Sequence, residues 1–198
     1  MVRSGLNPSQ KDIKNFLLSG LVVGAAYAAF KEVTSFQSIL ILLFFGLITV
    51  FSREIGQRIV GQWMDAQVDL EISMPGTTVT IIAAILSYIS TLNLAFVVPV
   101  FSKFSGESYE QWGKSVDAIW AKRKYWIVSS GIATLLTAWI ISYSAGITQL
   151  AEMIALFTFF QLLPLDAEKG ISGKLDGVHI ILWSGFMWLI FMGLTIIG

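Results

Sequence analysis

Apolar runs separated by short polar breaks organise this chain. Six of them approach the roughly 20 residues that a helix needs to cross the hydrocarbon core of a bilayer. They fall at 15–30, 36–59, 77–101, 125–147, 149–165 and 178–197. None follows the two-residue alternation of a membrane β-barrel, and lipid cannot satisfy an open strand edge, so each reads as a helix. The pattern predicts an all-α fold: a polytopic membrane helix bundle of about six transmembrane helices, in a single domain over 1–198 behind a polar N-terminal segment at 1–14.

Local signals refine this plan. Arg3, Lys11 and Lys14 precede an apolar stretch that reaches Ala26-Tyr27-Ala28, which has the look of a signal peptide but reads here as a first membrane helix. That helix carries Gly20 and Gly24 in a G-x-x-x-G spacing, followed by Ala25, Ala26, Ala28 and Ala29, a small-residue face on which another helix can pack closely. Asn93 and Pro99 interrupt the third run and predict a kink near the membrane surface. Between the third and fourth runs, Tyr109, Trp112, Val116, Ile119 and Trp120 recur at helical spacing, and Lys122, Arg123 and Lys124 adjoin Tyr125 and Trp126. The segment 102–124 is therefore expected to be an amphipathic interfacial helix or loop anchored by an aromatic and cationic belt.

Composition places the chain in lipid: of 198 residues, 55% are hydrophobic and only 13% charged, unlike a soluble domain. A multi-pass membrane location, in the cell membrane, follows as the expectation. The formal net charge is zero, without the basic surface that nucleic acid would require. Cysteine is absent and His179 is the one histidine, which removes thiolate chemistry and leaves little for a zinc site.

The stretch 52–63, SREIGQRIVGQW, sets charge where the second helix would still be at or near membrane depth. Ionisable groups there are costly and mark functional candidates. On a helix, Arg53 and Gln57 share one stripe, and Glu54 and Arg58 form an i, i+4 pair on the next. With histidine at 53 and 57 the string would be H-E-x-x-H, the helical zinc motif whose glutamate acts as general base. A second polar cluster precedes the last run: Gln161, Leu163-Pro164, then Asp176-Gly177.

Together the two clusters resemble the site-2 protease family of intramembrane zinc metalloproteases. In that family an H-E-x-x-H helix gives two histidine ligands, and a later N-x-x-P…D-G segment gives an aspartate. Here Glu54 and Asp176-Gly177 match, Leu163-Pro164 matches the L-P element, and Gln161 stands at the asparagine. Phe96 to Pro99 and Ser130-Gly131-Ile132 are weaker correspondences, so the likeness spans about 42–189. Arg53 and Gln57 fill both histidine positions. A guanidinium cannot ligate zinc and repels it, so the degenerate motif positions Arg53, Glu54, Gln57, Gln161 and Asp176 imply a pseudoprotease without catalytic residues, metal or cofactor.

What replaces the cation is the electrostatic question. Arg53, with Arg58, can pair with Glu54 and Asp176 in a structural ion cluster; alternatively both arginines snorkel to the headgroups. The expected role is a non-catalytic accessory subunit or binding scaffold, with the lipid bilayer, other membrane protein subunits or a transmembrane client as partners. Two alternatives stay open: an active metalloprotease with Glu54, Asp176 and His179 as unusual ligands, and a transporter with a polar path through the bundle.

Overall fold

A computed structural model describes residues 9–89, 96–105, 114–165 and 175–197, with side chains of 105–121 and 197 left out of the description. The order is α1 (Gln10–Phe30), α2 (Phe36–Trp63), β1 (Gln67–Ile72), α3 (Met74–Ile89), β2 (Val100–Ser105), α4 (Lys114–Ser144), α5 (Thr148–Leu162), α6 (Asp176–Trp183) and α7 (Gly185–Ile197). Helix dominates. Among the described residues, three helical segments are long and apolar enough to cross a membrane: Gln10–Phe30, Phe36–Trp63 and Lys122–Ser144.

The all-α expectation needs correction, because β1 and β2 form an antiparallel two-stranded sheet, Ile72 opposite Val100 and Gln67 opposite Ser105. The cause is local. Val68, Leu70 and Ile72 alternate with Gln67, Asp69 and Glu71, the two-residue period of a half-buried strand. Its partner follows Pro99, which favours extended backbone before it, and is rich in Val and Phe. The run at 77–101 is consequently not one helix: α3 ends at Ile89 and residues 96–99 are irregular. Asn93 lies outside the described residues.

Two further boundaries move. The proposed interfacial segment at 102–124 is not a separate helix: it begins in β2, and from Lys114 it is the start of the continuous 31-residue α4. Tyr109 and Trp112 fall outside the described residues. The last apolar run breaks at Ser184, which is extended (φ −150°, ψ 93°). Ser184 closes α6 through its N–H to the Ile180 carbonyl at 2.8 Å, and its hydroxyl accepts the Met187 N–H at 3.3 Å, capping α7.

α1 opens with a reciprocal cap, in which the Asp12 N–H donates to the Ser9 hydroxyl at 3.1 Å and the Ser9 N–H donates to the Asp12 carboxylate at 3.0 Å. It then packs antiparallel on α2 at very close range. A Cβ on Gly46 would overlap the Gly20 carbonyl and the Gly24 backbone. The G-x-x-x-G face is therefore spent inside the chain. α1 also caps the sheet: Asn15 Nδ2 donates to the Leu70 carbonyl at 2.7 Å, and the Leu70 N–H donates to Asp12 Oδ1 at 3.3 Å. These two side chains supply β1 with the partners that a third strand would give.

Candidate functional site

α2 turns one polar stripe inward. Thr49, Arg53 and Gln57, spaced by four, are 0% exposed, and Glu54 beside them is 5% exposed. Neighbouring helices fix that stripe. α4 donates the Thr134 hydroxyl to the Ser52 carbonyl at 2.7 Å and the Ser130 hydroxyl to the Gly56 carbonyl at 2.9 Å, bracketing Arg53. α6 brings its first residue, Asp176, to the same stripe.

Arg53 meets Asp176 in a two-pronged ion pair: Nε donates to Oδ2 and Nη2 to Oδ1, both at 2.7 Å. Its third nitrogen, Nη1, donates to Glu54 Oε1 at 2.9 Å. Gln57 Nε2 adds a fourth bond, to Asp176 Oδ2 at 3.1 Å. Planar guanidinium and planar carboxylate match here donor for lone pair, the geometry in which such bonds are strongest. Snorkelling does not describe Arg53, whose charge is wholly enclosed.

The cluster continues toward one end of the bundle. Arg58 lies 3.5 Å from Glu54 Oε2 and 3.5 Å from Asp12 Oδ2, so Asp12, Arg58, Glu54, Arg53 and Asp176 alternate in sign along a chain. Glu54 Oε2 makes no hydrogen bond among the described residues. Ser102 on β2 donates its hydroxyl to Gln57 Oε1 at 2.5 Å, tying the sheet to the same centre.

The approach of α6 depends on Gly177, where a Cβ would drive into the Leu162 carbonyl at the end of α5. Trp188 Nε1 holds that same carbonyl from α7 at 2.7 Å. Gln161, also 0% exposed, is close by in the fold but outside the ion cluster: its Nε2 donates to the Val100 carbonyl at 3.2 Å, and its Oε1 has no partner among the described residues.

His179 is not gathered with Glu54 and Asp176. Its ring stands edge-on to Phe104, with centroids 5.7 Å apart, and no group of three His, Asp or Glu among the described residues is placed to hold a metal ion. Both oxygens of Asp176 and one of Glu54 already accept from Arg53, so the alternative ligand set is not assembled. Motif reasoning gave no place to Asp12, Ser102 or Thr134 and touched Ser130 only through the weaker Ser130-Gly131-Ile132 correspondence. Asp12 carried a signal of its own, as the third residue after Ser9 in a helix-start pattern.

Away from the ions, an apolar groove of about 590 Å³ opens between α1, α2 and α3, lined by Ala25, Ala29, Leu43, Ala84 and Tyr88 among others. No protein-family model matches this chain, and no curated protein or solved structure matches it.

Proposed function

We propose that this chain is a multi-pass integral membrane protein with a site-2 protease-like centre that lacks catalysis, and that it serves as an accessory subunit or scaffold for other membrane helices. One observation carries the reading: the Arg53 guanidinium engages both oxygens of the Asp176 carboxylate at 2.7 Å, where a protease of this kind would need a metal. A fixed positive charge performs the neutralising part of the cation's work. It cannot acidify a water molecule or polarise a peptide carbonyl, which are the parts that hydrolysis requires.

A centre so arranged holds α2 to α6 without turning anything over. The groove beside α1 supports the scaffolding half, since Ala25, Ala29 and Ala84 leave room for another apolar surface to approach. The six-crossing topology belongs to the same proposal: α3, α5, α6 and α7 are each shorter than the three spanning segments and would cross by leaning on them.

The test combines elemental analysis of the purified chain with a cleavage assay on wild type and Glu54→Gln. The expected result is no stoichiometric zinc and no cleavage that depends on Glu54. Finding either overturns the non-catalytic reading. Purification in mild detergent is expected to retain a partner at fixed stoichiometry, and Ala25→Trp with Ala29→Trp to release it; a chain that stays alone in every mild detergent defeats the scaffold.

A further inference from the structure

The three spanning helices carry most of the chain's cations to one end of the bundle. α1 and α2 run antiparallel, since Asp12 at the start of α1 meets Arg58 near the end of α2 while Gly20 and Gly24 pack on Gly46. α4 also runs antiparallel to α2, with Thr134 bound to Ser52, Ser130 to Gly56, and Arg123 Nη1 donating to the Met64 carbonyl at 2.8 Å. The start of α1, the end of α2, the sheet and residues 122–124 therefore share one end. Lys11, Lys14, Lys103, Lys122, Arg123 and Lys124 all lie there. At the opposite end the described residues offer Lys31 alone, whose Nζ meets Glu152 Oε2 at 2.6 Å. Of the 13 lysines and arginines, Arg53 and Arg58 belong to the buried cluster, and the side chains of Arg3, Lys114, Lys169 and Lys174 lie outside the description. Giving all four of these to the opposite end would not reverse the excess.

Aromatic side chains mark the same level. Trp63, Trp126 and Trp183 are exposed there, and the Tyr125 ring lies 5.3 Å from that of Trp126 and 6.2 Å from that of Trp183. Exposed indoles collect at the headgroup boundary, beside which lysine and arginine face water. Counted back from Trp63 along α2 at about 1.5 Å per residue, Arg53 lies about 15 Å deeper, near the middle of a ~30 Å hydrocarbon core. The ion cluster thus reaches inward from this boundary. Carboxylates are present at this end too: Glu71 takes Lys11 at 3.1 Å, Asp69 stands opposite Lys103 in the sheet, and Asp65 is exposed. Lys14 and Lys122 are exposed beyond those pairs. Acidic residues weigh little in membrane orientation, which follows lysine and arginine close to the span ends.

We propose that the sheet-bearing end of the bundle is an interaction surface for anionic phospholipid headgroups of the cytoplasmic leaflet, so that the buried ion cluster opens toward the cytoplasm and the turn holding Lys31 faces the other side. The cytoplasmic leaflet carries the negative surface potential that draws such cations, and the opposite end has too few of them to compete. This orientation rests on the membrane-crossing reading proposed above. It also tells from which side a soluble segment of a partner meets the sheet, since β1 and β2 lie at the cytoplasmic boundary.

The chain has no cysteine, so single cysteines report orientation without background. Gln10→Cys, Thr34→Cys and Gln149→Cys each sit at an exposed position of the full chain, the first at the sheet end and the other two at the Lys31 end. In bacterial spheroplasts a membrane-impermeant maleimide is expected to label Thr34→Cys and Gln149→Cys directly, and Gln10→Cys only after permeabilisation. The reverse pattern overturns the orientation and leaves the crossings intact. Labelling of all three without permeabilisation, or of none, overturns the membrane-crossing reading itself. The headgroup contact is read separately from tryptophan emission of the wild-type chain in phosphatidylcholine bilayers. Brominated phosphatidylglycerol is expected to quench with at least about fivefold higher apparent affinity than brominated phosphatidylcholine, the preference of one surface cation. Lys14→Gln with Lys122→Gln should bring the two lipids toward parity. Equal quenching of the wild type by both lipids, or a preference unchanged in the double variant, overturns the lipid contact.

Discussion

Ser102 reaches Gln57 across the boundary between sheet and helix, its hydroxyl donating to Gln57 Oε1 at 2.5 Å while both residues stay buried. Gln57 then passes the constraint to Asp176. Removing the hydroxyl strands an amide oxygen in a dry interior, which costs about 1–3 kcal/mol. Ser102→Ala is accordingly expected to lower the thermal stability of the detergent-solubilised chain by that order, and Ser102→Thr to recover most of it. If Ser102→Ala melts with the wild type, the bond contributes nothing.

The ion pair makes a sharper prediction because its two halves are unequal to lose together and apart. Arg53→Met leaves Asp176 and Glu54 buried without their shared cation, a loss on the order of 3–5 kcal/mol. Adding Asp176→Leu removes one of the stranded charges. The double variant is expected to be more stable than Arg53→Met alone, a coupling that thermal unfolding of the four members of the cycle measures directly. Additive losses would mean that the pair is solvated in solution.

The parts legible in the sequence were those whose signal lies within one element. The helix from Phe36 to Trp63 follows from unbroken apolar character, and Arg53 and Gln57 stand out because their charge and polarity are costly where they sit. Asp176 was marked by its following glycine, and the close approach of α6 to Leu162 explains why no side chain fits at 177. The strand pair was the main failure. Val68, Leu70 and Ile72 do alternate, yet the partner at Val100–Ser105 lies about 30 positions on, inside a run whose hydrophobicity reads equally well as helix. Long-range placement was the other: nothing local says that Asp12 reaches Arg58 or that Ser130 and Thr134 brace the carbonyls beside Arg53.

Packing between α1 and α2 depends on absent side chains. Gly46 lies so close to Gly20 and Gly24 that any Cβ must push the helices apart. Gly46→Val is expected to destabilise the chain by at least the roughly 1–3 kcal/mol typical of overpacking. Ala25→Leu, on the groove side of α1 where space exists, is the control and should fold normally. Equal behaviour of the two in a thermal unfolding series would argue that the glycine face is not an internal contact.

Arg53 and Gln57 sit four residues apart on α2, both pointing at Asp176 and both fully buried. Imidazoles at the same two positions would present two nitrogens to a common point, with the aspartate as third ligand and one position open, the donor set of a catalytic zinc site. The double substitution Arg53→His with Gln57→His is therefore expected to acquire about one zinc ion per chain, since it removes the repelling charge and supplies the missing ligands in one step. Arg53→His alone offers one nitrogen and should bind far more weakly. Asp176→Asn added to the double variant should abolish loading, because a neutral amide is a poor zinc ligand beside a carboxylate. Elemental analysis of the three folded proteins reads the result. A double variant that folds and remains free of zinc would show that the guanidinium does not stand in a metal's place.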